Sequence, residues 1–211
     1  MRTVSVEVFQ FSELSEKAKE KARDSYREGF EFEPQYEDFE TAAVLLGIDL
    51  IEERPGRRAG TWHKANTIAY SGFCSQGDGA SFTGSYSFKV GCSDAVRAEF
   101  PKDNTLHAIA DSLTALHVRL RLIDGGKLEG KITQNDHRYS HSHTMDATAY
   151  DANGDEREIP VSDEFRDLMR DFADWIYTSL EEQYESDTSD EYVSEMLGLN
   201  GYEFTEDGER A

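Results

Sequence analysis

Ser71–Lys89, SGFCSQGDGASFTGSYSFK, decides the fold class. It holds four glycines, four aromatics and only one acid, Asp78. Gln76-Gly77-Asp78-Gly79 has the chemistry of a hairpin turn. In an extended chain Phe82, Gly84, Tyr86 and Phe88 share one side, and Ser81, Thr83, Ser85 and Ser87 the other. Two antiparallel strands are therefore expected, near Thr67–Cys74 and Ser81–Val90. Small residues beside aromatics also suit a surface that another molecule approaches closely.

Outward from this hairpin the chain alternates between helical and extended patterns. Thr3–Phe9 reads as a half-buried strand. Ser15 caps a helix running to Glu28, with Gly29 as its stop. A second helix opens at Pro34 and ends at Gly47. Residues 52–66 read as a loop. Leu106, Ile109, Ala110, Leu113, Leu116 and His117 recur at helical spacing. Arg119–Ile123, Leu128–Gln134 and Tyr139–Tyr150 read as extended, with turns at Gly125-Gly126 and Asn135-Asp136. The last long helix begins after Ser162, and its apolar stripe runs from Phe165 to Tyr184. A shorter helical stretch lies near Asp190–Leu197. The pattern predicts an α+β fold, a mostly antiparallel sheet with helices packed on one face, as a single domain over residues 1–211. Residues 186–211 are expected to form a partly extended acidic tail.

The 211 residues suffice for one real core, and 37% hydrophobic content predicts a folded chain. No run of about 18 apolar residues occurs, so no membrane partner is expected. The N-terminus lacks a signal-peptide apolar region. Cys74 and Cys92 sit in no CxxC, which excludes a zinc ribbon and fits a reducing cytoplasm. The net charge is −21, and residues 151–211 carry −16 of it, with 20 acids against four bases. Such a field repels nucleic acid and attracts basic protein surfaces. Arg54, Arg57, Arg58 and Lys64 form a small basic counter-patch.

Three groups of residues carry chemistry. In the hairpin, Phe73, Phe82 and Tyr86 offer faces for stacking, while Ser75, Gln76, Asp78, Ser81 and Thr83 offer polar contacts. Backbone amides around Gly77 and Gly79 suit a phosphate, although neither GxGxxG nor a P-loop is present. The competing reading is an ordinary ribbon with its aromatics in the core. The second group is Asp136–His143. An extended chain puts His137, Tyr139, His141 and His143 on one side, with Met145, Ala147 and Ala149 continuing that face. These residues, with Arg138, suit an anionic or hydroxylated ligand. His141 and His143 are also a workable metal pair, but a third ligand must come from the fold. No cofactor is expected. The third group is the acidic side of the last helix: Asp163, Asp167, Asp171, Asp174, Glu181 and Glu185. It reads as a partner surface for a basic protein, or as a solvated face with Arg166 and Arg170 in local ion pairs. No residue is singled out for covalent or general acid–base catalysis.

FSELSEKAKEKARDSYREG near the start, SGFCSQGDGASFTGSYSF in the middle, and DFADWIYTSLEEQYE with YEFTEDGERA at the end carry a resemblance over nearly the full length. The chain resembles accessory proteins of tailed phages and prophages, some labelled as the antitoxin of a toxin–antitoxin stability system. It departs from that family in a longer, more basic 52–66 loop. The resemblance implies a cytoplasmic protein of an infected bacterium that acts on host defence, by one of three routes. The first is capture of a nucleotide-derived immune signal by the hairpin and the Arg138–His143 strand. On that route Tyr86→Ala or Arg138→Ala is expected to abolish binding with the fold intact. The second is inhibition of a basic host effector by the acidic helix. The third is a metal-dependent phosphodiesterase centred on His141 and His143. The reading leaves room for a homo-oligomer.

Overall fold

The computed structural model describes residues 7–55, 62–134, 139–151 and 161–211. At its centre is Leu128–Gln134 (β8), in which Leu128, Gly130 and Ile132 are buried and the alternate residues are not. That period of two needs a covered face and an open one. β8 pairs on one side with Gly84–Ser87 (β7) and on the other with Met145–Asp151 (β9), and β7 pairs with Ile48–Asp49 (β2). All three pairings are antiparallel, in the order β2-β7-β8-β9. The register lines up Ile48, Tyr86, Gly130 and Ala149 across the buried face. Asp49, Ser85, Lys131 and Thr148 stand on the exposed one. The class is α+β with antiparallel pairing, as the sequence pattern requires.

Helices cover the apolar face. Ser162–Asp187 (α5) sets Phe165 directly over Gly130, where a Cβ would lie 2.5 Å from the ring. Phe165 also packs on Tyr86, with centroids 5.1 Å apart. Only glycine leaves room for this ring against the sheet. Asn104–Asp124 (α4) opens on Asp103, whose carboxylate accepts from Leu106 N at 2.9 Å and from Trp175 Nε1 at 2.7 Å. Glu37–Leu46 (α2) stops at Gly47, which adopts φ +94 and passes so close to β7 that a Cβ would lie 2.3 Å from Ser87 O. Cys92–Glu99 (α3) completes the helices of this part.

The chain forms two compact units, Gln35–Ser179 and Met1–Pro34 with Leu180–Ala211. In the second of these, Ser15 Oγ caps Glu16–Glu28 (α1) by accepting from Ala18 N, and Gly29 ends it. Asp190–Leu199 (α6) packs on α1 around buried Leu14, Ala18, Ala22, Val193, Leu197 and Phe204. Phe9–Gln10 (β1) pairs antiparallel with Glu203–Phe204 (β10). Arg27 binds the Thr188 carbonyl at 2.8 Å and also pairs with Asp190. The C-terminal stretch expected as a partly extended tail thus supplies a helix and a strand to a core.

Several elements differ from the sequence expectation. Residues 119–123 continue α4 instead of forming a strand, and only Leu120 among them is buried. His117 on that helix stacks on Phe88 at 3.8 Å, and Leu128 N donates to its Nδ1. Burial, then the charges of Arg121 and Lys127, hold its pKa below the ordinary imidazole value, which preserves the neutral acceptor. Within the expected 52–66 loop, Ile51–Pro55 (β3) instead pairs antiparallel with Trp62–Asn66 (β4), with Ile51 opposite Asn66 and Pro55 opposite Trp62. Arg57, Arg58, Asn135 and Asp136 lie outside the described residues, as does most of the expected Thr3–Phe9 strand.

Candidate functional site

The expected long hairpin is two shorter pieces. Ala69–Ser71 (β5) pairs with Gly79–Ser81 (β6), with Ser71 opposite Gly79. The chain then leaves this ribbon and enters the four-stranded sheet as β7. Residues 72–78 are the loop of the ribbon. Gly72 turns it at φ +42, where a Cβ would meet the Asp78 carboxylate at 2.8 Å. Asp78 Oδ2 accepts from Cys74 N at 2.8 Å and from Ser75 N at 2.6 Å, and Asp78 N donates to Ser75 O at 3.0 Å. The carboxylate therefore organises the loop from within. It occupies the amides of Cys74 and Ser75, not those of Gly77 and Gly79, and brings into the loop a negative charge that opposes a phosphate. Ser75 and Gln76 remain exposed.

Residues 139–144 lie against this loop. Ser140 N donates to Ser71 Oγ, and Ser140 Oγ accepts from Gln134 Nε2 at 3.4 Å. His141 packs on Gly79 so closely that a Cβ there would be 2.9 Å from His141 Cδ2 and 3.0 Å from its Cα. The Tyr139 ring faces Gly77. The segment is not extended, as the alternation suggested. His141 caps a 3-10 turn, Ser142–Thr144, and its Nδ1 accepts from His143 N at 3.0 Å. In the neutral ring that bond assigns the proton to Nε2, which is left to donate. The two imidazoles stack at 5.3 Å with planes 14° apart. Near-parallel rings direct their in-plane lone pairs side by side and not at one point. Among the described residues no group of three or more His, Cys, Asp or Glu has the arrangement to hold a metal ion. His137 and Arg138 lie outside the described residues.

Aromatic rings divide between surface and core. Phe73 stacks between Tyr70 at 5.6 Å and Tyr177 at 5.9 Å, and all three are half-buried. Tyr139 is 48% exposed, and His143 is exposed. Phe82, Tyr86 and Ser81, by contrast, are 0%, 2% and 0% exposed. The Tyr86 hydroxyl is buried without a hydrogen-bond partner among the described residues. Burial, then proximity to Cys92, raises its pKa well above that of an ordinary phenol. Phe82 and Tyr86 are thus core residues and not a stacking surface, because they pack on Phe172 and Phe165 of α5, and Ser81 is buried as well. Thr83 accepts through its carbonyl from Thr67 Oγ1 and lines a different, shallow cavity with Asp49, Ser85 and Lys131. The surface that does assemble joins Phe73, Ser75, Gln76 and Asp78 with Tyr139, His141 and His143. Sequence reasoning missed Tyr70, Tyr177, and the Ser71 and Ser140 pair that ties the two segments together.

The acidic side of α5 borders a groove against α4. Ala108, Ser112 and Ala115 give it a small-residue wall, and Glu164, Asp167, Asp171 and Asp174 an acidic one. From Thr105 to Arg119 it follows about 21 Å of helix. Arg166 binds Asp163 at 2.6 Å and Asp146 at 2.7 Å, Arg170 lies 3.7 Å from Asp167, and Arg119 binds Glu164 at 2.7 Å. Such exposed pairs contribute little stability. Desolvation, then repulsion from Asp174 and Asp167, raises the pKa of Asp171 above the usual carboxylate value. Glu181 and Glu185 belong to the stretch of α5 in the other unit.

No helix among the described residues is long and apolar enough to cross a membrane. No curated protein and no solved structure matches the chain. A family model, described as a domain of unknown function (DUF8835), matches residues 32–190. That span contains the glycine-rich loop, the 139–144 turn and the whole of the acidic helix. Because the match covers well over half of the 211 residues, the chain belongs to the DUF8835 family.

Proposed function

We propose that this chain is a phage-encoded, non-enzymatic counter-defence protein that captures a nucleotide-derived immune signal on the loop 72–78 and the turn 139–144. Phage residence comes from the sequence resemblance. The observation that carries the binding reading is the convergence of the two segments, each singled out independently in the sequence. Both are held in place by hydrogen bonds before any ligand arrives, which lowers the entropic cost of binding. Tyr139 supplies a ring face for a base, His141 Nε2 a donor, and Ser75 and Gln76 polar contacts to a sugar. Asp78 directs phosphate contact away from the Cys74 and Ser75 amides and toward His141 and His143. Native mass spectrometry on protein purified gently from a bacterial host tests this. An added mass of several hundred daltons, released intact on denaturation and absent from Tyr139→Ala, is the expected result. Bare protein, or a ligand released as cleaved product, would sink it.

A second reading is favoured by the raised pKa of Asp171. Ionised carboxylates crowded along the α4–α5 groove carry a repulsion that a cationic partner relieves. The chain would then block a basic host effector, as an antitoxin does. The same spectra would show a host polypeptide in place of a small molecule, lost as salt rises.

A further inference from the structure

The unit built from Met1–Pro34 and Leu180–Ala211 carries an open cavity of about 390 Å³, in the range of small-molecule sites. Tyr26 and Phe30 come from the end of α1 and the chain just past it, and Tyr202, Phe204 and Arg210 from the C-terminal hairpin. That hairpin is tightly made. Thr205 N donates to Glu209 O, Gly208 N to Thr205 O, and Ala211 N to Glu203 O. Gly208 adopts φ +85 and lies so close to α1 that a Cβ would fall 2.2 Å from Ala18 O. The turn thereby sits against α1, and Gly208 and Arg210 form part of the cavity wall.

Charge is sorted across this turn. Lys21 takes both neighbouring acids, Asp207 at 3.0 Å and Glu209 at 2.9 Å. Arg210 lies over Tyr202, its guanidinium carbon 3.9 Å above the centre of the ring, and also borders a cleft lined by Lys21, Asp24, Glu28 and Glu209. Among the described residues it makes no ion pair, although the chain has 43 acids. Desolvation, then Tyr192, Tyr202 and Asp187, raises the pKa of Tyr26, which keeps that hydroxyl protonated. Aromatic walls with one guanidinium free of carboxylate suit a flat ring bearing a negative group. Glu31 also lines the cavity and opposes such a ligand.

We infer that this cavity is a second binding site, for a planar aromatic carboxylate held between the rings with its anionic group on Arg210. Every residue lining it lies outside the span matched by the family model. The site is independent of the loop 72–78, so either stands if the other fails. Isothermal titration with 2-naphthoate and its neutral analogue 2-naphthol tests the inference. Naphthoate should bind more tightly than naphthol. Arg210→Leu should weaken naphthoate by about tenfold or more and leave naphthol unchanged. Arg210→Lys should retain part of the preference, and Glu31→Gln should strengthen naphthoate binding. Equal affinity of the two probes for the wild-type chain, no heat with either, or an unchanged naphthoate affinity in Arg210→Leu would overturn it. The wild-type comparison decides the matter even if a variant fails to fold.

Discussion

Replacing Tyr86 with alanine is expected to cost about 3–5 kcal/mol of stability. The side chain is 2% exposed, lies in register between Ile48 and Gly130, and packs on Phe165. Its removal opens a hole beneath α5 that the sheet cannot close, because Gly130 beside it has no side chain to fill the space. A loss of that size is a large part of the total stability of an ordinary domain. Tyr86→Phe is expected to behave oppositely. It keeps the ring and removes a buried hydroxyl that has no partner among the described residues, so stability should hold or rise by about 1 kcal/mol. The raised pKa gives a second signature. Below the ordinary tyrosine value of 10.0 the residue is neutral in both states, and its contribution is complete. As pH rises above that value the unfolded chain ionises first, and stability falls. Tyr86→Phe should lose less stability across that alkaline range than the wild type. Urea unfolding at pH 8 and pH 10.5 measures both effects. Wild-type stability in Tyr86→Ala would contradict the placement of this residue and restore it to the surface.

Gly79→Ala is expected to abolish ligand capture while leaving the four-stranded sheet formed. The new methyl would meet His141 at Cδ2, Cα and Cγ, at 2.9, 3.0 and 3.1 Å. The ring has some freedom to swing, but the Cα does not move without its backbone. That backbone is tied to β5 through Ser140 N and Ser71 Oγ and to its own turn through Thr144 N and His141 O. The segment must therefore shift as a body, at a cost of about 1–3 kcal/mol for overpacking. A shift of about 1 Å is enough to break a pre-formed polar site. Native mass spectrometry reads the lost adduct, and circular dichroism reads the retained fold. Gly79→Ala that still carries its adduct would show that the two segments do not act as one surface.

Much of the fold was legible because local chemistry and tertiary packing agree. Ser15 caps α1, Gly47 ends α2, and the stripe from Phe165 to Leu180 is buried on α5. Leu128–Gln134 is a strand with the expected bounds. Residues 119–123 misled because an alternating Arg-Leu-Arg-Leu run mimics a strand. The helix in fact runs on to Gly125 at φ +69, leaving Leu122 82% exposed. The α3 helix escaped notice because only Cys92 and Val96 on it are buried, too few for a period to emerge. Alternation of aromatics and hydroxyls around Tyr86 marked two sides but not which one faces inward. The candidate surface was half legible. Each segment stood out by composition, but their meeting depends on Ser71, Gly79 and Ser140, small residues that leave no periodic signal. The aromatic cavity of the other unit joins the two ends of the chain, and no local pattern announces such a junction.

The most direct test of the proposed capture surface is hydrogen–deuterium exchange on protein as purified from a bacterial host, compared with the same protein unfolded, freed of small molecules and refolded. The purified sample should protect the amides of 72–78 and 139–144 together, and both segments should lose this protection on refolding. Identical exchange in the two samples, or a difference confined to the α4–α5 groove, would contradict it.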